Sequence, residues 1–160
     1  MTVATAKKSV EHFGAIDVVW KKPVGVSKNA IFNAYMQGRI DGRSEVDTER
    51  KKQFFENLTK AQKIGVGLYN DIKTNLNIKP YRIYLRPDSM ISFDFLLVFD
   101  LSDYISSKLF EAYEVMRKIK FQVSDDKFRI FCQSMPMTEN LEESCLVADG
   151  YYFYYEEKSS

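Results

Sequence analysis

Apolar and polar positions alternate most sharply between residues 81 and 100. "YRIYLR" (81–86) and "MISFDFLLVFD" (90–100) each read as a strand, with Pro87, Asp88 and Ser89 between them as a short hairpin loop. A three-residue loop sets Ile83 opposite Phe93 and Leu85 opposite Ile91 on an apolar face. Arg82 then falls opposite Asp94, and Tyr84 opposite Ser92, on the other face. Downstream the period changes. Ile105, Leu109, Ala112, Met116 and Ile119 recur at steps of three and four, which predicts a helix over about 102–119 capped by Ser102 or Asp103. Lys108, Glu111, Glu114, Arg117 and Lys118 lie on or near its opposite face. "SDDK" (124–127) is a turn, a strand follows at about 128–135, and Pro136 with the polar "TENLEES" closes it. A last strand is expected over about 145–155.

The first half reads as helical. Phe54, Leu58, Ala61, Gly65, Leu68 and Ile72 form a stripe in one long helix from about Asp47 to Asn77, with a bend expected at "GVG" (65–67) and Pro80 beyond its end. Ser27 to Gly38 has a cap residue, helical spacing of Ile31, Ala34 and Tyr35, and a glycine stop. "IDVVW" (16–20) is strand-like. The expected fold is a single α+β domain over 1–160, with N-terminal helices followed by a β-β-α-β-β antiparallel sheet and a helix packed on one face.

The 160 residues carry a net charge of +1, unevenly spread. Residues 1–80 hold fourteen Lys/Arg against eight Asp/Glu, and residues 81–160 hold nine against fourteen. Such a split fits either an anionic partner for the first half or attraction between the halves within the fold. At 45% hydrophobic and 28% charged the composition is that of a soluble globular protein. No apolar run approaches the ~20 residues of a membrane helix, and "MTVATAKKSVEHFG" has no secretion-signal pattern, so the expectation is a cytoplasmic protein.

Chemistry is thinly signalled. His12 is the only histidine, and no Ser or Cys motif partners it. Phosphate-loop and dinucleotide glycine patterns are absent. Cys132 and Cys145 make no metal-binding or redox spacing and are expected in strands as free thiols. Asp94, Asp100 and Asp149 show no spacing that favours a metal. No cofactor, metal or catalytic residue is therefore assigned, and an enzyme is the lesser expectation.

Two surfaces stand out instead. "DGYYFYYEE" (149–157) places five aromatic rings in a row. Alternation sends Tyr151, Phe153 and Tyr155 one way and Tyr152 and Tyr154 the other, with Gly150 suited to a bulge. Arg82, Tyr84, Arg86, Tyr152 and Tyr154 are the candidate binding residues, because Tyr and Arg are enriched where proteins meet. The second surface is basic. "GVSKNAIFNAYMQGRI" (25–40) resembles the second half of a helix-turn-helix element. That resemblance implies Lys28, Asn29 and Asn33 at base edges and Arg39 and Arg43 at phosphates. Lys21 and Lys22 extend the basic set. Asp149, Glu156 and Glu157 flank the tyrosines and repel phosphate. The primary expectation is thus a non-enzymatic protein-binding domain of regulatory, immunity or assembly type, binding a protein partner or itself. Nucleic-acid binding through the basic half is the alternative.

Overall fold

The computed structural model describes Trp20, Lys21 and residues 44–157. Helix α1 (Ser44–Leu76) leads into strands β1 (Arg82–Pro87) and β2 (Ser92–Phe99). A short α2 (Leu101–Tyr104) and a longer α3 (Lys108–Val123) carry the chain to β3 (Arg129–Pro136). Helix α4 (Glu143–Ala148) precedes β4 (Phe153–Tyr155). The sheet order is β3-β2-β1-β4, with β2 and β3 parallel and the other pairs antiparallel. Two expectations are corrected here. The sheet is mixed rather than antiparallel, because the helical crossover returns the chain to the end of the sheet where β2 began. The element order is also not β-β-α-β-β, since α4 stands where the last strand was expected to start.

Helix α1 buries the expected stripe of Phe54, Leu58, Ala61, Leu68 and Ile72. It is one helix throughout, and Gly65 serves close packing: a β-carbon there would stand 2.7 Å from Trp20 and 2.8 Å from Phe95. Asn77, with a positive φ of 55°, ends the helix in a left-handed turn. The apolar face of the sheet, with Ile83, Leu85, Phe93, Phe95, Leu97, Phe99, Ile130, Phe153 and Tyr155, packs in one cluster with α1 and with Ala112 and Met116 of α3. Tyr69 meets Tyr155 edge-on at 5.1 Å in this core, and burial pushes the Tyr69 hydroxyl up to about 12.

The β1–β2 register differs from the expected one by four residues: Arg86 lies opposite Asp94 and Arg82 opposite Val98. The turn is later because Ser89 Oγ accepts from the Ile91 and Ser92 amides, while Asn57 of α1 donates to the Met90 carbonyl at 3.0 Å. Four is an even step, so the facing of every side chain is as expected and only the partners change.

The helix expected over 102–119 is broken at Ile105–Ser107 and continues to Val123. Ser106 Oγ donates to the Asp103 carbonyl at 2.7 Å and accepts from the Lys108 amide, competing with the helical ladder. Ile105, expected in the buried stripe, is consequently exposed. Cys132 is half-buried in β3, and burial pushes its thiol up to about 12; Cys145 is exposed and lies in α4, not in a strand.

Candidate interaction surface

The polar alternate positions of β1 form the second face of the sheet, and α4 determines how much of it is open. Leu146 of α4 packs with Tyr84, Leu96, Val98 and Tyr151 in a second, smaller core. Gly150 ends α4 with φ 98°: its amide donates to Val147 and the Tyr151 amide to Leu146, while the Tyr151 side chain packs with Leu146 in the same cluster. This is a Schellman stop with its hydrophobic contact, not a strand bulge. The alternation expected along the aromatic run is thereby interrupted. Tyr151 joins the second face, Tyr152 packs against the main core, Phe153 and Tyr155 enter the main core, and Tyr154 lies on the second face.

Arg82 is held on every side. Its Nε donates to Glu156 at 2.9 Å, and its Nη1 to the Tyr84 hydroxyl and to Glu143, each at 3.2 Å. Its guanidinium sits 4.2 Å from the centre of the Tyr154 ring. Burial alone would lower the Arg82 pKa, but the bonds to Tyr84 and Glu156 outweigh it and raise it. Arg86 donates twice to Asp94 Oδ2, at 3.0 and 2.5 Å, donates to the Asp149 carbonyl, and covers the Tyr151 ring at 4.8 Å. Tyr84 is 2% exposed and packs against Tyr154 with the rings tilted by 43°. The structure thus places Arg82, Tyr84, Arg86 and Tyr154 on one face of the sheet, while Tyr152, just before β4, packs against the main core.

Among the described residues of the basic set only Lys21 appears. It bridges β4 through paired backbone bonds with Tyr154 and forms a 3.3 Å ion pair with Glu156. Lys22, Lys28, Asn29, Asn33, Arg39 and Arg43 lie outside the described residues, as do His12 and the stretch 25–40. Lys73 pairs with Glu157. The basic first half and acidic second half therefore meet within the fold at the C-terminal segment. Lys21, Lys79, Pro80, Tyr81, Asp100, Glu156 and Glu157 line a cavity of about 610 Å³ beside it, with both signs of charge on its walls.

Glu156 supplies a pH prediction. Burial would raise its pKa, but the bonds from Arg82 and Lys21 outweigh it and hold the carboxyl below its usual value. A depressed folded pKa stabilises the fold above the unfolded value of ~4.3 and ceases to do so as pH falls through the folded one. Melting temperature is expected to drop with acidification below that point, and Glu156→Gln to flatten the drop. Melts of both proteins from neutral to acidic pH check this.

The open apolar surface lies at the other edge. Phe110 and Phe121 of α3 are 74% and 75% exposed, and Phe131 of β3 is 40% exposed. Tyr113 of α3 hydrogen-bonds Ser134 of β3, and the Lys120 ammonium sits 4.4 Å from the centre of the Phe131 ring, so this flank of the helix is joined to the strand. The outer edge of β3 has no strand partner among the described residues. Sequence reading had a signal for this surface in Phe110 and Phe121, eleven residues apart opposite the buried Ala112 and Met116. The acidic partners Glu143 and Glu156 had none, since only tertiary folding brings them to Arg82.

No group of three or more His, Cys, Asp or Glu side chains suited to a metal occurs among the described residues. None of the described helices is long and apolar enough to cross a membrane. Comparison with protein-family models, with curated proteins and with solved structures finds no match.

Proposed function

We propose that the chain is a non-enzymatic protein-binding domain whose contact surface is the outer face of α3 with the adjoining edge of β3. The exposure of Phe110 and Phe121 supports this reading most strongly. Aromatic residues and Arg, both present on this exposed helix face, are enriched where proteins meet. An unpaired strand edge beside them adds main-chain donors and acceptors. In this reading Arg82, Tyr84, Arg86 and Tyr154 work inward, fixing α4 and the C-terminal segment to the second face, while Tyr152 braces the main core. The nucleic-acid alternative gains no support from Lys21, which is engaged by Glu156.

Affinity capture from the native source, with the wild-type chain and the double variant Phe110→Asp, Phe121→Asp, tests the reading. Binding should weaken by about 2 kcal/mol or more if these are hot-spot residues. Folding stability should stay within about 0.5 kcal/mol, because both sites are exposed. An unchanged set of captured proteins argues against this surface.

A further inference from the structure

The outer face of α3 carries a pattern that names its partner. Phe110, Glu114, Arg117 and Phe121 are spaced by four, three and four residues, which places them on one straight seam along the helix. All four are exposed, and Glu111 and Lys118, a heptad apart on one flank of the seam, are exposed as well. The order along the seam is aromatic, acidic, basic, aromatic. Reversed end for end, aromatic still meets aromatic, and acid meets base.

We propose that this seam binds a second copy of the chain, α3 against α3 in antiparallel orientation about a two-fold axis midway between Glu114 and Arg117. The proposal rests on the protein-binding reading and identifies the partner of that surface. A two-fold contact must be self-complementary, and this one is. Phe110 meets Phe121 of the second copy, and Glu114 meets its Arg117. In an antiparallel pair the same flank of each helix comes together, so Glu111 meets Lys118 of the second copy. Within one chain Arg117 already donates to Glu114 at 2.7 Å; two such pairs across the axis make a ring of four alternating charges. A parallel arrangement would set Glu114 on Glu114 and Arg117 on Arg117, and is disfavoured. Helix α3 is about 24 Å long at 1.5 Å per residue. A contact confined to one such helix pair falls below the ~1,200 Å² at which stable specific interfaces begin, so the association is weak and depends on concentration.

Sedimentation of the purified full chain from roughly 10 µM to 1 mM tests this. The weight-average mass should rise from 18.7 kDa toward twice that value. Two charge variants carry the decisive test: Glu111→Lys with Glu114→Arg, and Arg117→Glu with Lys118→Glu. Alone, each places like charges across the axis and should lose self-association by more than about tenfold. Mixed in equal amounts they regain every pairing and should form a heterodimer. All four sites are exposed, so their melts should match the wild type. A wild-type chain that stays monomeric overturns the proposal, as does a dimer whose charge variants still self-associate, or a mixture that stays monomeric. If the wild type is monomeric yet captures another protein dependent on Phe110 and Phe121, the second copy is wrong and the protein-binding reading stands. Monomer without capture removes both.

Discussion

Phe95→Ala is expected to lower the free energy of unfolding by about 3–5 kcal/mol, measured by chemical denaturation. Phe95 is fully buried in the central strand, between Leu85 of β1 and Cys132 of β3. Its ring reaches up to α1 at Gly65. Sheet and helix are fixed on both sides by backbone hydrogen bonds, so the walls of the void cannot close in. A loss under about 1 kcal/mol would mean that the site collapses and that the close approach of α1 to β2 is not as described.

Gly65→Ala should also destabilise, by about 1–3 kcal/mol, although alanine is the better helix former by about 1 kcal/mol. The added methyl would lie under 3.0 Å from both Trp20 and Phe95. Both neighbours are aromatic rings in the core, and Trp20 is further held by its Nε1 bond to the Gln62 carbonyl at 3.0 Å. Tilting the Trp20 ring would strain its bond to Gln62, and tilting the Phe95 ring would press it on its core neighbours. Stabilisation by Gly65→Ala, seen as a raised melting temperature, would place Trp20 away from α1.

The legible parts of this fold are those governed by local periodicity. The stripe of α1, the alternation in β1 and β2, and the separation of Phe93 and Phe95 from Asp94 follow from side-chain spacing and solvent. Register followed only to an even step, because the hydroxyl of Ser89 and the amide of Asn57 choose where the hairpin turns. The direction of β3 follows from tertiary connection, which periodicity does not encode. Of the last strand expected over about 145–155 only Phe153–Tyr155 is strand, for a specific reason: "CLVA" (145–148) is short and apolar enough for a strand, and Gly150 serves bulges and helix stops alike. That stop also decides where the aromatic run faces. It turns the chain between Tyr151 and Phe153, so the five rings divide between two cores rather than two faces of one strand. Of the binding residues suggested by Tyr and Arg composition, Arg82 and Arg86 find their partners inside the chain, in Glu143, Glu156 and Asp94. Burial of Tyr84 beneath α4 was not readable, because α4 itself was not.

Site-specific photo-crosslinking tests the central claim, that the chain meets protein through α3 and β3. A benzophenone side chain would be placed singly at the positions of Phe110, Phe121, Phe131 and Tyr154, and irradiated in the native source. The account predicts adducts from Phe110 and Phe121, with Phe131 alongside, and none from Tyr154, whose ring lies between Arg82 and Tyr84. Adducts from Tyr154 alone, or from none of the four, would contradict it.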